Sequence, residues 1–154
     1  MSSHLPDTSA RAAPENLAIL LREPFVAMND RLMARLAAEG HPEFRSAHGA
    51  VFQYLDDAGT RVSTLAQRAR MTKQSMAELV AHLERHGYVE RVPDPGDRRA
   101  KLVRATARGR EVFALARATM ADVDARLDAA LGAERVAELR ALLVEVGAAL
   151  GEPR

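Results

Sequence analysis

The chain has 154 residues, of which 47% are hydrophobic and 28% are charged, and its net charge at neutral pH is +1. This size and composition predict one globular domain and exclude a chain that is mainly disordered. The absence of cysteine excludes disulfides, thiolate metal sites and cysteine nucleophiles, and no apolar run approaches the roughly 20 residues that a membrane helix needs. Residues 1–13 are polar and predict a disordered tail without a secretory signal, so we expect a cytoplasmic protein.

The first predicted helices follow this tail. Pro14 suits the first turn of a helix, and apolar residues from Leu17 to Leu36 recur at steps of three and four. Pro24 interrupts that run and predicts a kink or a split, and Gly40 ends it. A second helix is expected over 46–55, with Ala50, Val51, Tyr54 and Leu55 facing inward.

The centre of the chain predicts two short helices joined by a tight turn, followed by a β-hairpin. The first helix covers 62–69, and the second begins at an N-cap, Thr72, and runs to His86 before a C-cap at Gly87. Strands are expected over 88–92 and 100–105, with a turn over 93–97 between them. Thr106 then caps a helix to about residue 130, and a last helix covers 134–149. The fold class is mainly α with a small β-hairpin wing (α+β), a winged helix-turn-helix.

Basic residues are concentrated in this central block. Residues 61–110 carry 12 Lys and Arg against 5 acids, whereas 1–60 and 111–154 each carry 5 basic and 8 acidic side chains. The block is therefore +7 and each flank −3. Such asymmetry is typical of a module that binds a polyanion, although an Arg-rich solvated face is the alternative.

The order of elements predicts how a DNA duplex is read. The second helix is narrow enough for the major groove, and its first residues face base edges and phosphates: Thr72, Lys73, Gln74 and Ser75. Arg68 and Arg70 are expected to hold phosphates. A hairpin tip that carries Arg98 and Arg99 suits a narrow minor groove, and Asp97 is expected to orient one of these arginines.

These motifs resemble the MarR family of bacterial regulators. The resemblance rests on Leu83 to Arg91 (LERHGYVER) and on a wing pattern with a following helix start, formed by Asp94, Pro95, Asp97, Arg99, Leu102, Val103, Thr106 and Gly109. Ala100 and Ala105 depart from the residues that are frequent in the family. The resemblance implies a homodimer that binds a palindromic operator, usually as a repressor, and that releases DNA when a small, often aromatic or anionic, effector binds.

The resemblance also suggests how the chain is divided. One domain is expected over 14–150, with dimerisation helices at 14–40 and 111–150 around a DNA-binding lobe at 46–110. The broad apolar faces of the terminal helices agree, because so short a chain cannot cover them within one lobe. An effector pocket is predicted from an apolar wall with a few polar groups, namely Phe25, Met28, Asn29, His41, Arg45, His48 and Phe52. The alternative for Phe25, Met28 and Phe52 is the core.

No pattern favours an enzyme. Ser, His and Asp occur outside any recognisable catalytic context, and no nucleotide-binding glycine motif is present. His82 and His86 have metal-ligand spacing but no third ligand nearby in sequence, so we expect no metal and no cofactor. The sequence therefore predicts a regulator that binds palindromic double-stranded DNA. The alternative is a ligand-binding or protein-interaction module whose winged helix no longer reads DNA sequence.

Overall fold

A computed structural model describes residues 16–151, so the predicted tail over 1–13 and Pro14 lie outside the described residues. The fold is mainly helical with one antiparallel hairpin, which confirms the predicted class. Its elements are α1 (Leu17–Ala38), a 3-10 turn (Ser46–His48), α2 (Gly49–Tyr54), α3 (Val62–Arg68), α4 (Lys73–Arg85), β1 (Val89–Asp94), β2 (Asp97–Ala105), α5 (Ala107–Leu131) and α6 (Ala133–Leu150).

Helix α1 is continuous through Pro24, so the predicted split at this residue is wrong. Proline removes one intrahelical hydrogen bond, and the rest of α1 keeps its helical bonding on both sides of the gap. The side chain of Asn16 caps its start by accepting from the Ala18 amide at 2.9 Å. Farther along, Arg35 donates to Asp122 at 3.0 Å and ties α1 to α5.

The second predicted helix differs from expectation at its start and on its buried face. It opens with the 3-10 turn, and its buried residues are Val51 and Phe52, whereas Ala50, Tyr54 and Leu55 are only partly buried. Phe52 packs edge-on against Phe44, with ring centres 5.1 Å apart, and against Phe113 at 4.7 Å. These long-range aromatic contacts decide which side of so short a helix faces inward.

The helix caps confirm the predictions around the helix-turn-helix. Thr72 accepts a hydrogen bond from the Ser75 amide at 3.1 Å, and Thr106 accepts one from the Gly109 amide at 3.2 Å. Gly87 takes the left-handed backbone conformation (φ 74°) that ends a helix. Gly109 is buried where a Cβ would overlap the Tyr88 carbonyl oxygen, so α5 starts in close contact with the hairpin.

The hairpin is longer than predicted. Its register runs from Val89 opposite Ala105 to Asp94 opposite Asp97, so the turn is Pro95–Gly96 alone. The Asp94 side chain accepts from the Gly96 amide at 2.9 Å, which stabilises this tight turn. At the other end, Thr60 and Val103 exchange two backbone hydrogen bonds of 2.8 and 2.9 Å, which attach β2 to the residues before α3.

The core lies within the winged helix and the adjoining parts of α1 and α5. Its fully buried residues (at most 2% exposed) include Leu36, Val51, Leu65, Met76, Val80, Leu83, Tyr88, Val89 and Val103. Among residues 16–151, the large apolar side chains that remain exposed lie instead on α1, at the end of α5 and on α6: Leu17, Ile19, Leu20, Leu21, Phe25, Leu131, Leu139, Leu142, Leu143, Val144 and Leu150. None of the helices in this part of the chain is both long and apolar enough to cross a membrane.

Candidate nucleic-acid interface

The first residues of α4 are presented to solvent by the burial of its opposite side. Met76, Val80 and Leu83 are fully buried, at helical spacing. Thr72, Lys73, Gln74 and Ser75 are all exposed, as the sequence predicts. The Thr72 hydroxyl also donates to the Ser75 hydroxyl at 2.8 Å, so two members of this set brace each other. The Gln74 side-chain amide donates to Glu78 one turn along the helix at 3.5 Å.

Arg70 occupies a strained backbone position in the turn between α3 and α4. Its φ of 54° is the only positive value at a non-glycine position within residues 16–151. The left-handed conformation costs a residue with a Cβ about 1–2 kcal/mol relative to the right-handed one. The side chain is exposed and has no acidic partner among the described residues. Arginine at this position is therefore not explained by the backbone.

The wing carries its two arginines in the open. Arg98 and Arg99 are exposed and form no ion pair in the part of the chain that the structure describes. Asp97 accepts from the Arg99 backbone amide at 3.0 Å, so its contact with this arginine is through the main chain. Its other carboxylate oxygen lies 3.7 Å from the Arg61 guanidinium.

Acidic partners divide the basic residues of 61–110 into two sets. Five arginines are paired with carboxylates: Arg61, Arg68, Arg91, Arg104 and Arg108. The other seven have no such partner within residues 16–151: Arg70, Lys73, Arg85, Arg98, Arg99, Lys101 and Arg110. Arg68, which the sequence predicts as a phosphate contact, donates to the Tyr54 carbonyl and to Asp56, each at 2.9 Å. Its guanidinium therefore links α3 to the end of α2, and a phosphate role for it stays a prediction.

Three histidine rings stack between α2 and α4. His48 and His82 are nearly parallel with centres 4.5 Å apart, and His86 lies 4.5 Å from His82. His48 Nδ1 accepts from the Arg45 amide at 2.9 Å, and His82 Nε2 donates to the Glu43 carbonyl at 3.0 Å. No group of three potential metal ligands is formed within the described residues.

A cavity of about 530 Å³ lies beside these rings, between α4 and the 3-10 turn with α2. Arg45, Arg85, His48 and His82 supply positive or polar groups, Glu78 supplies one carboxylate, and Met71 and Leu79 supply apolar surface. Of the seven residues predicted to line an effector pocket, only Arg45 and His48 lie here. The cavity thus borders the helix that carries Lys73 and Gln74.

The other five predicted pocket residues lie elsewhere. Phe52 and His41 are buried, at 7% and 3% exposure. Phe52 therefore belongs to the core, which was the alternative interpretation for it. Phe25 is 64% exposed on α1, Met28 is partly buried, and Asn29 accepts from the Ser46 hydroxyl at 3.0 Å. None of these five residues lines the cavity between α4 and the 3-10 turn.

A polar junction that no sequence motif predicts joins the terminal helices to the winged lobe. Arg108 at the start of α5 donates to the Gly40 carbonyl at 3.1 Å, to Glu43 at 3.2 Å and to the Tyr88 hydroxyl at 3.1 Å. Burial raises the pKa of Tyr88, and the hydrogen bond from Arg108 opposes that rise. These partners are 20 to 68 residues apart in sequence, so no local spacing signals the junction.

The buried helix-turn-helix, its exposed polar N-terminal turn and the adjoining hairpin define a winged helix-turn-helix protein. A model of the MarR family matches residues 45–100. The transcriptional regulator HosA of Escherichia coli O111:H- is 34% identical over 76 residues, which cover 49% of this chain and 56% of HosA. This part of the chain is therefore similar to the MarR family of regulators.

Two further comparisons define the extent of the likeness. The transcriptional activatory protein BadR of Rhodopseudomonas palustris is 40% identical over 55 residues, 36% of this chain and 31% of BadR. The matches therefore span about half or less of these curated relatives. The PcaV transcriptional regulator of Streptomyces coelicolor, solved with its natural ligand, is 25% identical, with a TM-score of 0.64 over 96% of this chain and 99% of PcaV. The likeness in fold thus extends well beyond the matched segment.

Acid is expected to destabilise the protein through His48. Burial lowers the pKa of His48 from 6.5 to about 4, and the charges of His82 and Arg45 add to this effect. Between these pH values the unfolded chain takes up a proton that the folded chain refuses, so stability falls as the pH falls from 6.5 to about 4. His48→Asn keeps a hydrogen-bond acceptor that does not titrate. Between pH 6.5 and about 4, its free energy of unfolding, measured in urea, should therefore depend less on pH than that of wild type. Equal slopes for the two proteins would refute the assignment.

Arg70→Gly is expected to raise the free energy of unfolding by about 1 kcal/mol, because glycine adopts the left-handed conformation without a Cβ clash. The greater freedom of glycine in the unfolded chain offsets part of this gain. Urea unfolding measures the change. Glu78→Gly on the exposed side of α4 is the matched control, and its free energy of unfolding should fall by about 1 kcal/mol. An Arg70→Gly protein no more stable than wild type would show that this turn is not strained.

Proposed function

We propose that the protein is a homodimeric, sequence-specific DNA-binding regulator of transcription rather than an enzyme. The observation that carries this proposal is the pairing of two open cationic surfaces: the N-terminal turn of α4 with Lys73 and Gln74, and the wing tip with Arg98 and Arg99. Five arginines of residues 61–110 are neutralised by acids, whereas Lys73, Arg98 and Arg99 have no acidic partner among the described residues and keep their charge available for phosphate. The match of residues 45–100 to the MarR family and the similarity to the transcriptional regulator HosA support this assignment.

In this proposal the two surfaces read different grooves. The amide of Gln74 offers a donor and an acceptor that match adenine in the major groove, and Lys73 suits guanine or a phosphate. Thr72 and Ser75 hold the helix start and contact phosphate. Arg70 in the preceding turn also contacts phosphate. Arg98 or Arg99 enters the minor groove, where Asp97 fixes the backbone beneath the second of them.

Dimerisation is proposed from the apolar surface on α1, α5 and α6. Eleven large apolar side chains are exposed there, and Val136 is the only buried residue of α6 between Ala133 and Leu150. A symmetric partner that covers the helices over 14–40 and 111–150 would remove this surface from water. It would also place two copies of α4 about 34 Å apart or a small multiple of that, the repeat of a palindromic operator. A monomer at micromolar concentration in sedimentation equilibrium would contradict this arrangement.

We also propose that a small anionic molecule with an apolar body releases the DNA, so that the protein acts as a repressor. The cavity beside α4 combines two arginines with Met71 and Leu79, and PcaV is a relative that was solved with a ligand. BadR is named an activatory protein, so a reporter assay must decide the direction of regulation. Benzoate-type acids should raise the Tm of wild type more than that of Arg45→Ala; equal shifts would exclude Arg45 from the site.

The central experiment first enriches a duplex from a random pool with the wild-type protein. The affinity of the Arg99→Ala protein for this duplex is then compared with that of wild type. We expect a loss of about tenfold or more with an unchanged Tm, because the arginine is exposed and contacts DNA only. Arg126→Ala, which removes the same charge from the exposed side of α5, is the control and should bind like wild type. If no duplex is enriched over the pool, the protein-interaction alternative takes the place of DNA reading.

A further inference from the structure

Arg61 connects the wing to the helix-turn-helix. It is the residue before α3, and its Nε donates to Asp94 Oδ2 at 2.6 Å. Its Nη2 lies 2.5 Å from the same oxygen and 3.7 Å from Asp97 Oδ2. One guanidinium therefore contacts the two carboxylates that flank the hairpin turn on either side.

Those two carboxylates also shape the backbone of the wing tip. Asp94 uses its other oxygen to accept from the Gly96 amide at 2.9 Å, and Asp97 accepts from the Arg99 amide at 3.0 Å. The Asp94 side chain is only 11% exposed, although it lies at the end of the hairpin. The hydrogen bond from Gly96 lowers the pKa of Asp94, and the bond from Arg61 lowers it further, so the carboxylate stays charged at neutral pH.

Besides Arg61, the exposed pair of Arg91 with Glu84 of α4, at 3.1 Å, ties the wing to the helix-turn-helix, but it lies farther from the hairpin turn. No residue from Arg91 to Leu102 is buried. The hairpin is attached near its base, where Thr60 and Val103 exchange backbone hydrogen bonds. Thr60 and Arg61 are adjacent, so one holds the base of the wing and the other holds its tip.

We propose that Arg61 is a positioning residue for duplex recognition: its contacts with Asp94 and Asp97 set the angle of the wing to α3 and α4, and thereby the place where Arg98 and Arg99 meet the DNA. The proposal rests on the proposed function. Arg61 acts on the DNA through Arg98 and Arg99, because its own guanidinium is already bound to carboxylates.

The first arm of the test needs no DNA. Because the chain lacks cysteine, Gln67→Cys on α3 and Lys101→Cys on β2 give two unique sites for spin labels, and labelled protein is diluted in unlabelled protein to isolate one chain. Arg61→Ala should broaden the distribution of distances between the labels, and Arg61→Lys should restore part of the narrow distribution. The control is Arg104→Ala, which breaks a 2.7 Å pair with Glu90 within the hairpin and leaves the link to α3 intact. An unchanged distribution for Arg61→Ala overturns the positioning role.

The second arm uses the duplex that wild type enriches from a random pool. Arg61→Ala should weaken binding about tenfold, and should add no further loss to a protein that already carries Arg98→Ala and Arg99→Ala, because interacting residues are not additive. Additive losses with a salt slope lower by about 1 would mean that Arg61 touches phosphate itself, which overturns the proposal. If wild type enriches no duplex, the proposed function and the DNA half of this inference both fail, while the spin-label arm still decides whether Arg61 holds the wing.

Discussion

The packing of Met76, Val80 and Leu83 into the core decides what α4 can present to a partner. These side chains occupy one side of the helix and are fully buried. Since helical side chains repeat every 3.6 residues, that contact leaves Lys73 and Gln74 on the open side at the start of the helix. The Thr72 cap then fixes where the helix begins, so the position and the direction of these polar groups follow from burial and capping together.

The charge that this lobe presents depends on which basic residues are paired with acids as well as on how many basic residues it has. The acidic residues of the lobe and its neighbours neutralise five of the twelve basic residues of 61–110, and each of those pairs joins two parts of the fold. Arg68 joins α3 to α2, and Arg108 joins α5 to the residues after α1. Exposed pairs contribute little stability one by one, so their main effect here is geometric. The arginines of this block without an acidic partner in residues 16–151 include Arg70 in the turn before α4 and Arg98 and Arg99 on the wing.

Two polar regions outside the ion pairs of the wing brace this lobe. The junction of Arg108, Glu43 and Tyr88 holds the start of α5 against the residues after α1 and the residue before β1. On the other side, the three stacked histidines and the cavity beside them connect the start of α2 to α4. The first region lies between the helices proposed for dimerisation and the DNA-binding lobe, and the second lies within that lobe.

Local sequence determined the elements and the polar ends of this protein. Helical spacing placed α3, α4, α5 and α6 to within a residue or two, and the caps at Thr72, Gly87 and Thr106 were readable because capping involves neighbours three residues away or fewer. The exposed set from Thr72 to Ser75 followed from the same periodicity. The continuity of α1 through Pro24 and the length of the wing did not follow from it, since helical bonding on both sides outweighs the one bond that proline removes and cross-strand bonds extend the hairpin.

Only the tertiary structure decided which residues share a site. Phe52 entered the core through Phe44 and Phe113, His41 became buried, and Arg45 and His48 met α4 instead of the rest of the predicted pocket. Arg61 acquired its contacts with the wing across 33 residues of sequence. Spacing along a chain carries information about one helix face or one turn, whereas ion pairs and cavities form between elements whose separation is set by packing.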